Sequence, residues 1–261
     1  MNEERNPLGI SLGVFPTDEI FAEIAAAGIK YIELSMLGED HTRIYEEADA
    51  IRAMAKCHGL KIWSVHLRFG RETFNLCAPD AAERERTLSY QIEALRGIAA
   101  LGVKNAVLHG GIPLPQTERK KYFAIAKENI AALQTEASRL GITVCVETLA
   151  PSCIGRNKEE LLSILSAHPD LGVCLDTNHL FGDFQADLVR TIGERIVTTH
   201  LSDCDFVDER HWLPGEGEIN WPDVMGALSE VGYKGPLLYE VSPFRTPETI
   251  ERRPLTFKDY R

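Results

Sequence analysis

Short apolar segments alternate with longer amphipathic segments from one end of the chain to the other. The alternation begins with the apolar run from Leu8 to Val14, followed by a helical pattern from Asp18 to Ala27. This order of strands and helices is typical of a parallel sheet. Eight segments are predicted to be strands: Gly9–Val14, Tyr31–Met36, Ile62–Leu67, Ala106–His109, Thr143–Leu149, Val173–Asp176, Ile196–Leu201 and Pro236–Val241.

The ends of the predicted helices carry residues with suitable chemistry. Glycine reaches the left-handed conformation at a helix C-terminus. Six glycines stand just before predicted strands: Gly28, Gly59, Gly102, Gly141, Gly172 and Gly232. Threonine and asparagine cap helix N-termini by accepting a backbone hydrogen bond. Five such residues precede helical patterns: Thr17, Thr117, Asn157, Asn220 and Thr246.

Eight strands in 261 residues predict an α/β fold, a single (β/α)8 TIM barrel with residues 1–261 as one domain. No Pro/Gly/Ser-rich linker or charge block divides the chain. A doubly wound open sheet is the alternative, but its Gly-x-Gly-x-x-Gly pattern after the first strand is missing. The stretch Thr246–Arg261 contains Pro254 and is short for an eighth helix, so we expect barrel closure to be weakest there.

The overall charge argues against a protein that binds nucleic acid. The formal net charge is -11, whereas broad phosphate binding needs an excess of Lys and Arg on at least one face. A local basic patch would still be compatible with this charge. The charge therefore favours a small substrate over duplex DNA.

The chain is predicted to be a cytoplasmic protein with no membrane partner. Its first residues form no apolar stretch of signal-peptide length, and no later window approaches a membrane span without charges. The six cysteines show no Cys-x-x-Cys pair and no framework spacing. Cys145 and Cys174 lie inside apolar runs, so buried, reduced thiols are the preferred interpretation.

Ionisable residues end seven of the eight predicted strands. In a (β/α)8 barrel the carboxyl ends of the strands form one mouth, where active sites lie. The residues delivered to this mouth are Glu33, His66, His109, Glu147, Asp176, His200 and Glu240, and His179, Glu209 and His211 follow in loops. A single histidine at a strand end is more often a hydrogen-bonded core residue. Only the convergence of several strand ends favours a functional site.

A divalent metal site is predicted at this mouth. Carboxylates packed this densely repel one another and lose hydration unless a cation lies among them. The predicted ligands are Glu147, Asp176, His200 and Glu240. Imidazoles mixed with carboxylates suit zinc, manganese or ferrous iron better than calcium or magnesium. Glu33 is expected to hydrogen-bond near the ion without binding it, because the four-residue set is complete without it.

Seven short motifs are spread over nearly the whole chain. They are Val65-His66-Leu67, Leu108-His109-Gly110-Gly111, Val146-Glu147-Thr148, Leu175-Asp176-Thr177-Asn178-His179, His200-Leu201-Ser202-Asp203, Pro214-Gly215-Glu216-Gly217-Glu218-Ile219 and Tyr239-Glu240. Together they resemble the xylose isomerase-like barrel superfamily, which includes sugar isomerases and epimerases and the endonuclease IV group. The resemblance is highly specific for the superfamily and only weakly specific for a reaction.

The resemblance implies two different metal sites. In enzymes like D-tagatose 3-epimerase, the residues matching the four predicted ligands hold one metal ion, and the two glutamates also transfer protons. In endonuclease IV, three zinc ions use those positions and five more, which match His66, His109, His179, Glu209 and His211. An aspartate stands there in place of Glu209. Ketose epimerases usually lack His66 and His109 and tend to carry arginine where His211 stands, which favours several ions.

The preferred interpretation is a metal-dependent isomerase or epimerase of a sugar or sugar phosphate. Glu147 and Glu240 would act as acid and base on either side of a metal-stabilised enediolate. The alternative is an endonuclease IV-like phosphodiesterase, in which the five additional residues complete two more metal positions. A third, less favoured interpretation is a non-catalytic metal- or sugar-binding barrel. Many relatives are dimers or tetramers, so the resemblance leaves homo-oligomer formation open.

Overall fold

The computed structural model describes residues 6–38, 41–71, 73–180 and 185–242 of the chain. Over these residues, eight parallel strands alternate with helices and form the predicted (β/α)8 TIM barrel. The strands are β1 (Leu8–Leu12), β2 (Tyr31–Ser35), β3 (Lys61–His66), β4 (Asn105–Leu108), β5 (Thr143–Glu147), β6 (Gly172–Asp176), β7 (Ile196–His200) and β8 (Leu237–Tyr239). All eight predicted strands are confirmed, and their ends differ from the prediction by at most two residues.

Helices follow the strands along the chain. They are α1 (Asp18–Ala26), α2 (Arg43–Glu46), α3 (Ala48–Cys57), α4 (Ala81–Ile98), α5 (Arg119–Arg139), α6 (Lys158–Leu165), α7 (Gln185–Ile192) and α8 (Trp221–Glu230). The connection from β2 to β3 holds both α2 and α3. The segment Thr246–Arg261, with the predicted cap Thr246, lies outside the described residues. No helix in the described ranges is long and apolar enough to cross a membrane.

The barrel closes between β7 and β8 with fewer hydrogen bonds than elsewhere. Ladders join the strands in the order β7-β6-β5-β4-β3-β2-β1-β8. The remaining gap is spanned by an isolated parallel bridge between Leu201 and Tyr239. The N–H of Leu201 donates to Leu238 at 2.8 Å, and the N–H of Glu240 donates to Leu201 at 3.2 Å. The chain therefore forms a nearly closed barrel whose last strand is held least firmly.

The helix starts follow the predicted capping pattern with one exception. Three predicted caps are confirmed, each accepting a first-turn N–H at 3.0 to 3.3 Å: Thr17, Asn157 and Asn220. The predicted cap Thr117 is wrong, because it lies inside the short 3-10 helix Gln116–Glu118 that precedes α5. Asp80 caps α4 by accepting the N–H of Glu83 at 2.7 Å, and the sequence pattern did not indicate it.

The glycines at the predicted helix ends fall into two groups. Five have φ between 68° and 82° and confirm the prediction: Gly28, Gly59, Gly102, Gly141 and Gly232. The prediction for Gly172 is wrong, because this residue begins β6. A Cβ at Gly172 would lie 2.5 Å from Cγ2 of Val197. Close packing of β6 on β7, and not a helix end, therefore requires glycine at this position.

A small apolar cluster fills the barrel below the mouth. It consists of Val107, Cys145 and Cys174, with Val197 packed against it. Cys145 and Cys174 each stand two residues before an ionisable strand-end residue, so they share its face one layer deeper. Both cysteines are buried and free, as predicted. The cluster forms an apolar floor beneath the charged mouth.

Candidate metal centre and active site

The four predicted ligands meet at the mouth of the barrel. Glu147, Asp176, His200 and Glu240 each offer a ligand atom, and these atoms lie within 4.8 Å of one another. Asp176 pairs with His200 in the ladder between β6 and β7, because parallel strands end at the same edge. The side chains of Glu147, Asp176 and His200 are at most 1% exposed, and that of Glu240 is 29% exposed.

A register shift between β6 and β7 aims His200 inward. Val173 pairs with Ile196 and Cys174 pairs with Thr198, so Val197 is an extra residue in β7. Val197 packs against the cluster inside the barrel. His200 follows three residues later and also faces inward, which strict alternation would not allow. The bulge is therefore what brings His200 to the other ligands.

Glu147 is the central carboxylate of the site. Its Oε2 lies 3.1 Å from Nε2 of both His66 and His109. Its Oε1 lies 3.3 Å from Nδ1 of His179 and 3.5 Å from Nδ1 of His200. Burial by itself would raise the pKa of Glu147, but the imidazoles of His109 and His200 hold this pKa well below its usual range. Glu147 is therefore ionised and shared by four histidines.

Two buried atoms of the four-residue set make no hydrogen bond within the described part of the chain. They are Oδ2 of Asp176 and Nδ1 of His200, which lie 3.9 Å apart. Buried polar atoms without partners are costly, so the proximity of these two atoms indicates a position suited to binding a cation. Carboxylate and imidazole donors fit zinc, manganese or ferrous iron. The residues present thus fit the predicted divalent metal.

Three histidines each place one ring nitrogen beside a backbone carbonyl or the carboxylate of Glu33. Nδ1 of His66 lies 2.9 Å from the carbonyl of Leu67, and Nδ1 of His179 lies 3.1 Å from the carbonyl of Thr148. Nε2 of His200 lies 2.7 Å from Oε1 of Glu33. Histidines that bind metals usually donate their other N–H to a carbonyl or carboxylate in this way. The other ring nitrogen of each histidine faces a carboxylate of a candidate ligand group.

Glu33 lies behind His200 and outside the candidate ligand groups of the described residues. It is fully buried and accepts hydrogen bonds from Ser11 at 2.8 Å and Ser64 at 2.6 Å. Burial raises the pKa of Glu33, but His200, His66 and Ser64 together outweigh it and the pKa is lowered overall. This is the position that an orienting partner of His200 requires. Its role in metal binding stays a prediction.

The five additional histidines and carboxylates form two further candidate groups in the described ranges. One group is His66, His109 and Glu147, and the other is His179, Glu209 and His211. Ligand atoms within each group lie within 4.8 Å of one another. Glu147 belongs both to the first of these groups and to the four-residue set. The side chain of Glu209 is 44% exposed, so this ligand lies at the open edge of the site.

Glu240 differs from Glu147 in its electrostatic setting. Burial raises the pKa of Glu240, and the neighbouring carboxylates of Glu147 and Asp176 raise it further, while His200 opposes the shift. Nδ1 of His200 lies 3.4 Å from Oε2 of Glu240 and 3.5 Å from Oε1 of Glu147. The mouth therefore holds two glutamates beside the same imidazole nitrogen, with pKa values shifted in opposite directions.

Phe69 is a residue of the mouth that the strand-end pattern did not single out. Its ring stacks on that of His109 with 3.7 Å between centroids and 23° between planes. The centroid of His66 lies 5.2 Å from that of Phe69. Phe69 is 37% exposed, so it presents an apolar face beside the ligand groups. A large apolar residue shortly after a strand that ends in His66 was the available sequence signal.

Residues 21–257 match the family described as Xylose isomerase-like TIM barrel. D-psicose 3-epimerase of Agrobacterium fabrum is 26% identical over 248 residues, covering 87% of this chain and 80% of that protein. A probable endonuclease 4 of Haloarcula marismortui is 26% identical over 195 residues, covering 67% of this chain and 68% of that protein. For three of the matched curated relatives, the aligned region spans 48%, 80% and 59% of the relative's own length.

A solved structure has the same architecture. The crystal structure of D-allulose 3-epimerase from Methylomonas sp. in complex with D-allulose superposes with a TM-score of 0.78. The match covers 98% of this chain and 94% of that chain at 20% sequence identity. Likeness at this identity supports the fold, and the chemistry has to be argued from the side chains at the mouth.

Proposed function

The chain belongs to the xylose isomerase-like TIM barrel family, and we propose that it is a divalent-metal-dependent isomerase or epimerase of a sugar or sugar phosphate. The observation that carries the proposal is the pair Glu147 and Glu240, which flank Nδ1 of His200 at 3.5 and 3.4 Å. Relatives named D-psicose 3-epimerase and inosose isomerase support the reaction class. The four-residue set would hold the ion.

Proton transfer would be the work of the two glutamates. A divalent ion would polarise the substrate carbonyl and acidify the neighbouring C–H. One glutamate removes this proton, and the other returns a proton to the opposite face of the substrate. Glu147 ends β5 and Glu240 follows β8, so the two side chains approach from different sides of the mouth. Each carboxylate has two oxygens, so it can hold the ion and still exchange a proton.

The electrostatic difference between the glutamates supports unequal roles. Glu147 has a lowered pKa and is ionised at neutral pH, as a proton acceptor must be. Glu240 has a raised pKa, which favours a group that also carries a proton. His179 would orient substrate oxygens, because it lies between Glu147 and Glu209. Phe69 would pack on the apolar face of the substrate.

Exchange of substrate protons with solvent tests the proposal. A panel of ketoses and ketose phosphates is incubated with the metal-loaded protein in deuterium oxide, and loss of the proton signal beside the carbonyl is followed by NMR. We expect exchange for at least one sugar. Glu147→Gln and Glu240→Gln should each slow it by roughly a hundredfold to ten-thousandfold, because an amide is not a base near neutral pH. Each variant must still bind metal for the comparison to be valid.

A second candidate function is an endonuclease IV-like phosphodiesterase. It is favoured by Glu147, which belongs both to the four-residue set and to the group with His66 and His109. Such a carboxylate could bridge two ions, and the group of His179, Glu209 and His211 could hold a third. The relative named probable endonuclease 4 supports this alternative. The acidic net charge of -11 counts against it.

A DNA duplex with an abasic site, assayed beside the sugars, separates the two functions. Cleavage of the duplex without deuterium incorporation into any sugar would overturn the isomerase proposal. Deuterium incorporation without cleavage would overturn the phosphodiesterase. Absence of both reactions in a metal-loaded protein would favour the non-catalytic barrel.

A further inference from the structure

The loop between β7 and α8 carries two members of a candidate ligand group. It runs from Leu201 to Asn220 and contains Glu209 and His211. Loops of this length need anchors if they are to place a side chain accurately. One anchor is internal, since Asp203 and Trp212 exchange backbone hydrogen bonds at 2.8 and 3.0 Å. The position of His211 relative to the barrel requires another anchor.

Asn178 supplies that anchor from the end of β6. Its side chain is fully buried, and its Oδ1 accepts the backbone N–H groups of Arg210 and His211, each at 2.9 Å. Its own N–H donates to Oδ1 of Asp176 at 2.7 Å. One amide oxygen thus ties the loop to the strand end that carries Asp176 and His179. Its Nδ2 has no hydrogen-bond partner among the described residues, so the contact to the loop is made by the oxygen alone.

His211 adopts a backbone conformation that needs support. Its φ is 48°, in the left-handed region that residues with a Cβ seldom occupy. Strained conformations persist only when the surroundings hold them, and they concentrate at functional sites. The two backbone N–H groups that donate to Oδ1 of Asn178 are those of His211 and of Arg210, directly before it. The carbonyl of His211 accepts the N–H of Ser242 at 2.9 Å, which fixes the residue from the other side.

The imidazole of His211 reaches the site in this conformation. Its centroid lies 5.5 Å from that of His179, with the rings at 82°. Its Nδ1 lies 3.1 Å from the carbonyl oxygen of Glu240. The backbone geometry of His211 therefore decides whether the group of His179, Glu209 and His211 is assembled.

We infer that Asn178 is a positioning residue, which holds His211 in its left-handed conformation and so preassembles this ligand group. This interaction needs a side-chain oxygen that accepts the two backbone N–H groups. Aspartate offers such an oxygen at position 178, and alanine does not. The inference depends on the proposed function in one respect. It treats the group of His179, Glu209 and His211 as part of the metal or substrate site. The geometry of the histidine ring is independent of that function.

The first test uses chelator-treated protein labelled with 15N at histidine. The imidazole signals of His211 are identified by their loss in His211→Ala. We expect Asn178→Ala to shift these signals and Asn178→Asp to return them to their wild-type positions. Asn75→Ala is the matched control, because Asn75 is also fully buried and its Oδ1 accepts two backbone N–H groups, those of Cys77 and Ile112. Unshifted His211 signals in Asn178→Ala would overturn the inference.

The second test is a zinc titration arranged as a double-mutant cycle. At zinc concentrations that load this group after the four-residue set, we expect Asn178→Ala to weaken its zinc binding by roughly ten- to a hundredfold, as loss of an outer partner commonly does. Asn178→Ala combined with His211→Ala should bind zinc no more weakly than His211→Ala alone, because Asn178 acts through His211. Additive losses would show a general structural role and overturn the inference. If the wild-type protein binds no zinc at this group, the histidine spectra alone decide the role of Asn178. Failure of the whole protein to bind zinc, manganese or ferrous iron would instead contradict the proposed function.

Discussion

A single buried carboxylate, Glu33, holds the imidazole of His200 from behind. Glu33→Gln keeps the size of the side chain but removes the charge that faces Nε2 of His200 at 2.7 Å. We expect zinc affinity to fall by roughly ten- to a hundredfold, since outer partners of metal-binding histidines contribute about this much. Zinc titration of chelator-treated protein measures the change. Ser11→Ala removes one hydrogen bond to the same carboxylate and should have a smaller effect. Unchanged affinity in Glu33→Gln would contradict the orienting role.

The cysteines should differ in their reactivity with thiol reagents. Burial raises the pKa of Cys77 to about 12 and that of Cys204 to about 11, so both remain protonated near neutral pH. Cys57 is exposed. We expect a chromogenic disulfide reagent to react fastest with Cys57 in the native protein, and Cys57→Ser to abolish this fast phase. A fast phase that persists in Cys57→Ser would contradict this assignment and show that another thiol, such as the half-buried Cys153, reacts as fast.

Individual site residues were predictable as far as strand geometry determines them. Parallel strands end at one mouth, so an ionisable strand-end residue such as Asp176 was predictable there, whereas His200 joins it only through the bulge at Val197. The central place of Glu147 was not predictable from its own strand. It depends on how far the side chains of His66, His109 and His179 reach across the mouth. Sequence spacing carries no information on that reach.

We expect replacement of glycine by alanine to change the free energy of unfolding in opposite directions at two positions, one in a strand and one in a helix. A Cβ at Gly172 in β6 would lie 2.5 Å from Val197, whereas a Cβ at Gly226 in α8 would meet no atom within 4 Å. We expect Gly172→Ala to lower the free energy of unfolding by about 1 to 3 kcal/mol through overpacking. Gly226→Ala should raise it by about 0.5 to 1 kcal/mol, because alanine favours the helix. Urea denaturation measures both, and an unchanged stability of Gly172→Ala would contradict the close contact of β6 with β7.

For the secondary-structure elements, the sequence predicted where each strand lies, but it did not predict the bulge in β7 or the start of α5. Each strand is a short apolar run with helical patterns on both sides, and that signal is local. The bulge at Val197 is not local, because it is defined by pairing with β6. Thr117 fails as a cap for a similar reason, since the turn Gln116–Glu118 continues directly into α5. Pairing and tertiary contacts decide such details, and a single sequence does not record them.

The whole molecule concentrates buried negative charge at one end of the barrel. Glu33, Glu147 and Asp176 are each at most 1% exposed, in a chain with a net charge of -11. Four histidines surround Glu147, and they compensate part of this charge when protonated. A bound divalent ion would compensate the remainder, so metal binding and folding stability should be linked. Removing the ion would leave the unpartnered atoms of Asp176 and His200 buried.

Metal loading should therefore raise the melting temperature of the whole chain. At an ion concentration a hundred times the dissociation constant, binding adds about 2.7 kcal/mol of stability. In a chain of this size that corresponds to a rise of roughly 5 to 10 °C. Differential scanning calorimetry of chelator-treated and zinc-loaded protein measures the rise. We expect Asp176→Ala, which removes the ligand, to abolish it and His109→Ala to retain it, because only Asp176 belongs to the four-residue set.

The number of ions per chain tests which site the whole molecule uses. The proposed isomerase uses one ion, held by the four-residue set, so elemental analysis of protein purified without chelators should find about one ion per chain. His109→Ala should leave that count unchanged. Three ions per wild-type chain, falling to two in His109→Ala, would show that the group of His66, His109 and Glu147 is also occupied. That result would favour the phosphodiesterase, because occupancy of all three candidate groups is what the endonuclease IV resemblance implies.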